Sequence, residues 1–489
     1  MSQPVTIPPS TGLLSGYDPG DFFCELTSPR PDGDGGQDQA AIIERLHGLD
    51  LAQLRQRASE AENELHNLGI TFTVYTERDA IDRILPFDVI PRVLTPQEWQ
   101  KLEDGVIQRV SAINLFLHDI YHDQKILKDG IIPKDLVLGN ANYRDFMVGV
   151  DVPCGTYAHI CGIDVVRDEH GAFQVLEDNA RTPSGVSYVI ENRNLMLRSF
   201  PDLTELTRLR PVDTYGMMLR RAMQEIAPQV DDPQVVLLSP GIYNSAYFEH
   251  VFLAREMGVP LVEASDLVVD NDRVFMRTTT GLTAVHSIYR RIDDAFLDPQ
   301  VFRKDSMIGV PGLMNAYRKG NVALANTVGT GVADDKAVYA YMPRIIKYYL
   351  DQDPILENVE TYICREADAL QYTLDNLDKL VVKPVGESGG YGLLVGPKST
   401  QQELDDFRAQ LLANPSNYIS QPMVSLSVAP TLTDRGIAPR HVDLRPFAVT
   451  GANTWVLPGG LSRVALREGS IVVNSSQGGG SKDTWVLEA

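Results

Sequence analysis

The chain has 489 residues, 43% of them apolar and 22% charged, which is too long for one ordinary hydrophobic core and balanced like a globular protein in water. A formal net charge of −21 argues against a partner held through a nucleic-acid phosphate backbone. No apolar run reaches membrane-spanning length, no signal-peptide pattern opens the chain, and Cys24, Cys154, Cys161 and Cys364 form no C-x-x-C pair. The expectation is a cytoplasmic protein with reduced thiols, bound to neither membrane nor nucleic acid, and without a zinc site.

Residues 1–40, rich in Pro, Gly, Asp and Ser, read as an extended or disordered arm. Between 40 and 68 the positions Ile43, Leu46, Leu51, Leu54, Ala58 and Leu65 give an amphipathic helical pattern, and 71–75 alternates like a strand. Thr95-Pro96-Gln97-Glu98 is a helix start, with Thr95 as N-cap, proline in the first turn and Glu98 closing a capping box. Trp99, Leu102, Val106, Val110, Ile113, Leu117 and Ile120 then continue a long core-facing helix. His118 and His122 lie four apart on it but off the apolar stripe, so a solvated face is expected there and not a metal site.

Residues 163–167, a turn at 168–171 and residues 172–179 read as a hairpin. Alternation puts Phe173, Val175, Glu177 and Asn179 on one face and Asp178 on the other. Pairing Arg167 with Ala172 sets Asp164 opposite Val175, beside Glu177. Two carboxylates and an amide oxygen converging from a sheet suit Mg²⁺ on nucleotide phosphates; an edge hairpin with solvent-facing acids gives the same pattern. Arg181, in the loop ARTPSG at 180–185, is suited to clamping a phosphate or a carboxylate.

A strand at 234–238, a helical pattern at 246–257 stopped by Gly258, and a strand at 260–262 make a βαβ rhythm, hence a small parallel, Rossmann-like domain. It lacks the glycine fingerprint of a dinucleotide site. Asn271-Asp272 marks a hairpin, and Arg290-Arg291 either faces a ligand or forms a surface pair. Residues 315–350 read as mostly helical, interrupted at Gly329-Thr330-Gly331 by a helix–helix turn, with a mobile ligand loop as the alternative.

The stretch LVVKPVGESGGYGLLVGP at 380–397 runs from an apolar strand that delivers Lys383, through Gly386, Gly389, Gly390 and Gly392, into a second short strand. Glycines let several backbone N–H groups approach one anion, and a strand lysine adds a point charge. It is not a Walker A loop, and a glycine-rich hairpin with a surface lysine is the alternative. After an amphipathic helix at 401–412, residues 418–424 contain Pro422 and read as an edge or hinge strand whose free backbone groups suit an adenine ring. Alternation at 441–449 puts Arg445 on the face of Asp443, Arg463 lies in the segment 456–465, and 471–474 reads as a last strand. The glycine-rich 475–482 is either a flexible terminus or a second phosphate loop.

A strand lysine with a glycine loop, together with a strand Glu-x-Asn and an upstream Asp, resembles the ATP-grasp superfamily. Because Glu177 and Asn179 precede Lys383, the order resembles the circularly permuted ATP-grasp family (type 2), which includes relatives of glutathionylspermidine synthase. FDVIPRVL (87–94), GIDVVRD (162–168), VLEDNARTPSGVSYVIENR (175–193), YRRIDDAFLDP (289–299), GNVALAN (320–326), VVKPVGESGGYG (381–392) and VNSSQGGGSKDTWV (473–486) carry the likeness. The resemblance implies an α/β fold of α+β lobes with an inserted Rossmann-like pre-ATP-grasp domain. The division it suggests is an arm at 1–40, helices and a metal-binding lobe at 41–211, the Rossmann-like domain at 212–350 and a nucleotide-binding lobe at 351–489. It implies Mg²⁺ on Asp164, Glu177 and Asn179, and ATP on Lys383, the loop 386–392 and the hinge 421–424. Arg445 would sit near the γ-phosphate, with Arg463 and Arg181 as rivals. The activity implied is an ATP-dependent carboxylate–amine ligase working through an acyl phosphate on small-molecule or peptide substrates, with a helical companion protein as a possible partner. A phosphotransferase and a nucleotide-binding partner protein with little catalysis are the alternatives. The chain departs from glutathionylspermidine synthase in lacking a cysteine amidase domain, and in carrying Arg181 where that enzyme's metal motif continues with an acid. Glutathione and spermidine are therefore not carried over.

Overall fold

The computed structural model describes residues 12–30, 36–75, 80–205, 207–228, 230–386, 392–470, 473 and 478–489, with backbone alone at 36–38 and 71–84. Among these residues no helix is long and apolar enough to cross a membrane. The organising element is a ten-stranded sheet. Its main path runs Glu357–Asn358, Phe173–Asn179, Ile160–Arg167, Gly436–Arg445, Leu461–Val464, Gly480–Val486 and Phe87–Leu94, with three further strands branching from it. The helix Pro96–Tyr121 packs on it, and its capping box at Thr95 and Glu98 forms as the spacing predicts. All seven apolar positions of its predicted stripe are buried, which is what a stripe of that period does when a sheet covers it.

A second sheet is wholly parallel, in the order Ala323–Ala325, Ser287–Arg290, Val235–Leu238, Leu261–Val262. The helix Tyr247–Met257 returns the chain between the last two, so the βαβ unit is present. The strand Ala323–Ala325 replaces part of the expected helical stretch. A short apolar run buried on both faces has no period to separate strand from helix. Beside this sheet lies a meander, Leu267–Asp270, Arg273–Thr278 and Gly281–Val285. Its first turn takes φ of 48° at Asn271 and 57° at Asp272, the left-handed pair that a two-residue hairpin loop requires.

A third sheet has the order Tyr362–Ile363, Tyr418–Pro422, Leu380–Pro384, Leu394–Val395. The strand Tyr418–Pro422 is therefore an inner strand, not an edge. Pro422 is tolerated because it is the last residue of the ladder, opposite Leu380.

Two terminal readings change. Residues 12–30 of the expected arm lie against the body: Leu14, Cys24 and Leu26 are buried in one cluster with Ile43, Leu46, Val93 and Trp485. Glu25 N donates to Val428 O and Val428 N to Phe23 O, both at 2.8 Å. Composition registers the prolines and glycines of this segment but not a partner four hundred residues away. At the other end, Gly480–Val486 is an inner strand, parallel to Phe87–Leu94 and antiparallel to Leu461–Val464, so the last part of the glycine-rich stretch is sheet. The rest of that stretch and of the strand expected at 471–474 lies outside the described residues, Val473 and residues 478–479 excepted.

Candidate active site

One cleft of about 510 Å³ opens between the third sheet and the large sheet, with the loops of the parallel sheet at one end. Asp164, Glu177, Asn179, Arg181, Lys383, Gly386, Gln421, Met423, Val424, Arg445 and Arg463 all line it. Gly392 does not, and takes a positive φ of 68°; Gly389 and Gly390 lie outside the described residues.

The carboxylate hairpin pairs Arg167 with Phe173 and Val165 with Val175, then slips by one residue so that Asp164 faces Glu177 and Gly162 faces Asn179. This overturns the expected pairing of Arg167 with Ala172 and of Asp164 with Val175. Leu176 is the extra residue of a β-bulge, and alternation reverses across it. Val175 and Asp178 consequently point into the core, where Arg109 clamps Asp178 through Nε at 2.5 Å and Nη2 at 2.8 Å. Leu176, Glu177 and Asn179 point into the cleft. The predicted face common to Val175 and Glu177 does not exist.

Asp164 sits under two guanidiniums. Arg445 donates from Nε to Oδ1 and from Nη2 to Oδ2 at 2.8 Å, and Arg463 Nη2 reaches Oδ2 at 2.7 Å. Asn179 Nδ2 lies 3.4 Å from Oδ1. Burial by itself raises the Asp164 carboxyl, but Arg445 and Arg463 outweigh it and hold it at about 2. Arg463 also binds Asp443, with Nε 2.9 Å from Oδ1; burial pushes Asp443 up, while the two acids together raise Arg463. Gly162 makes this arrangement possible, since a Cβ there would stand 3.1 Å from Arg445 Cδ and 3.2 Å from Pro183 Cβ.

Across the cleft, Lys383 Nζ donates to Gln421 Oε1 at 2.7 Å, the two residues being carried by adjacent antiparallel strands. Burial brings the Lys383 ammonium down to about 8, with Glu177 opposing and Lys336 assisting. The apolar end of the cleft is formed by Val166, Leu176, Val381, Val395, Val424 and Leu426.

Three groups at the site escaped sequence reasoning. Lys336 lines the cleft with Nζ 3.6 Å from Glu177 Oε1, and Asp334 accepts a hydrogen bond from Ala180 N. Burial raises Asp334 to about 6, against the pull of Arg181. The signal was the charged triplet Asp334-Asp335-Lys336 just after the glycine turn, where Asp335 caps the helix Lys336–Ala340. The third is Thr361, which receives Gln421 Nε2 at 2.9 Å. Arg181 is braced between Asp293 and Asp334, each at 3.3 Å. Arg290 and Arg291 are neither surface pair nor ligand-facing. Arg290 is enclosed by Asp294 at 2.6 Å and by carbonyls of Asn326, Ile292 and Thr327; Arg291 is held by Glu249 and Pro183 O. His118 and His122 stack at 4.2 Å, and no cluster of metal-ligating acids, histidines and cysteines occurs among the described residues.

A lysine strand facing a carboxylate hairpin across a cleft between two sheet lobes is an ATP-grasp-like α/β fold. The solved structure of a glutathione synthetase-like effector from Globodera pallida shares it, with a TM-score of 0.57 at 10% identity over 90% of this chain and 98% of that one. Residues 91–465 match the family described as circularly permuted ATP-grasp type 2, and the chain belongs to that family. An uncharacterized protein of Synechocystis is 51% identical, covering 97% of this chain and 99% of its own. One from Mycobacterium tuberculosis is 49% identical, over 97% and 86%. A Frankia casuarinae protein with the provisional name glutamate–cysteine ligase 2-2 is 41% identical over 91% of this chain, which spans about half (52%) of that relative.

Proposed function

We propose that the protein is an ATP-dependent carboxylate–amine ligase that forms an amide through an acyl phosphate. The observation that carries this reading is the opposition, in one cleft, of the cations Lys383 and Lys336 to the oxygen donors Glu177 and Asn179. In this reading residues 41–211 carry the metal-binding lobe, 212–350 the Rossmann-like domain and 351–489 the nucleotide-binding lobe.

The donors fit a hard divalent cation. They are all oxygen, and too few to form a closed cage, which suits Mg²⁺ completed by substrate phosphates and not zinc. Glu177 and Asn179 would hold the ion, with Asp164 beside them already neutralised by arginine. When bound, Mg²⁺ neutralises charge on the transferring phosphoryl group. Lys383 and Lys336 bind phosphate oxygens, the apolar end of the cleft takes the adenine at 421–424, and Arg445 stabilises charge developing at the γ-phosphate. Phosphoryl transfer needs positioning and charge neutralisation, so no side chain has to act as a covalent nucleophile. The carboxylate substrate attacks the γ-phosphorus and ADP leaves; the amine then displaces phosphate and gives up a proton. The name of the Frankia relative supports a C–N ligase as the reaction class.

The test is calorimetric titration of Mg·ATP into wild type and Lys383→Ala, followed by a screen of carboxylate and amine pairs for ADP release. Binding that disappears in the variant supports the phosphate site. Tight binding without ADP release for any pair would refute the ligase.

A further inference from the structure

We infer that Thr361, which takes no part in lining the cleft, is a positioning residue that fixes which end of the Gln421 amide faces Lys383. The inference rests on the reading of Lys383 as the phosphate lysine, although its geometry does not depend on a nucleotide.

The Thr361 hydroxyl has one proton, and that proton is directed at Val359 O, 2.8 Å away. Toward Gln421 the oxygen is therefore an acceptor only, and it receives Nε2–H at 2.9 Å. The two ends of a glutamine amide are nearly identical in shape, so its orientation is decided by hydrogen-bond partners. With Nε2 committed to Thr361, Oε1 must point the other way, where it receives the Lys383 ammonium at 2.7 Å. Lys383 is a donor with no acceptor capacity. Were the amide reversed, N–H would face N–H in a site where Gln421 is 2% exposed and water has little access. The Val359 end is itself anchored, because Val359 N donates to Val175 O at 2.9 Å. A hydroxyl on the segment leading into Tyr362–Ile363 thus sets the direction of a lysine two strands away, through the order Tyr362–Ile363, Tyr418–Pro422, Leu380–Pro384.

The experiment compares wild type, Thr361→Val and Thr361→Ser by two readouts. Competitive acetylation across a pH series, read by mass spectrometry at Lys383, gives the titration midpoint of that amine without any nucleotide. Calorimetry gives the Mg·ATP affinity. In Thr361→Val, which keeps shape and removes the acceptor, the Lys383 midpoint falls by about half a pH unit or more and Mg·ATP binding weakens about three- to tenfold. Thr361→Ser restores both. An unchanged midpoint in Thr361→Val overturns the inference, even where thermal stability drops, because stability alone reports a structural role. Equal impairment of Thr361→Val and Thr361→Ser overturns it as well. A midpoint that moves while wild type fails to bind Mg·ATP sustains the positioning role and removes the nucleotide reading instead.

Discussion

Arg463 joins two buried acids, Asp443 and Asp164, and is itself almost fully enclosed. Replacing it with methionine keeps an unbranched side chain but removes the guanidinium, leaving Asp164 with Arg445 alone and taking from Asp443 the partner that offsets its burial. Breaking one partner of a buried pair costs about 3–5 kcal/mol, so urea unfolding of Arg463→Met is expected to lose stability of that order. A loss within the range of a surface substitution would show that water reaches the cluster. Lys383 makes a second prediction at this scale. Its value of about 8 means that it is charged below that pH and neutral above it. Mg·ATP affinity is therefore expected to decline as pH rises through 8, and Lys383→Arg, which stays protonated, flattens the decline. A flat wild-type profile between pH 7 and 9.5 would place the phosphates elsewhere.

At the scale of elements, the strand Ile160–Arg167 is shaped to admit the Arg445 side chain over Gly162. Gly162→Val inserts a branched side chain where Arg445 Cδ and Pro183 Cβ would lie little more than 3 Å away. Overpacking of this kind costs about 1–3 kcal/mol. The fold is expected to persist by circular dichroism while Arg445 leaves Asp164, with Mg·ATP binding weakened in calorimetry. Unaltered binding would remove Arg445 from the nucleotide site. The bulge at Leu176 shows why element-level reading fell short on this hairpin. The two strands and their turn follow from β-propensity and turn residues, but a single inserted residue leaves no mark in a period-two pattern as short as Phe173–Asn179. Glu177 and Asn179 reach the cleft as expected, and it is Val175 and Phe173 that do not accompany them.

For the whole molecule, acid sensitivity follows from groups scattered through it. Burial keeps His159 and His250 neutral, lowering them to about 3 and about 2, with Arg290 and Arg291 respectively adding to the effect. The unfolded chain binds protons at these histidines from about pH 6.5 downward while the folded chain does not, so stability falls as pH drops through that window. Glu25 and Asp164 are raised by burial but held at about 2 by their arginines. Their contribution is complete above the unfolded carboxylate values near 4 and is lost as pH falls toward 2. The thermal midpoint is therefore expected to be flat near neutrality and to decline in two stages, with His159→Leu reducing the slope of the first. An unchanged slope in that variant would contradict the assignment of His159 as a buried neutral group.

Residue order alone established the α/β class, the capped helix Pro96–Tyr121, the βαβ unit and the kinship with permuted ATP-grasp proteins. It also exposed Lys383 with its glycines and the Glu-x-Asn strand. These are local facts: caps, periods and motifs are written in neighbouring residues. Long-range packing brings residues 12–30 into the core, makes Gly480–Val486 an inner strand and seals Arg290 and Arg291 inside. It alone brought Asp334, Lys336 and Thr361 to the site, and it tied Asp164 to Arg445 across 281 residues of chain. The reason is physical. The free energy of a buried charge or a sheet edge depends on what covers it, and the covering residues here come from parts of the chain whose own local patterns carry no record of the encounter.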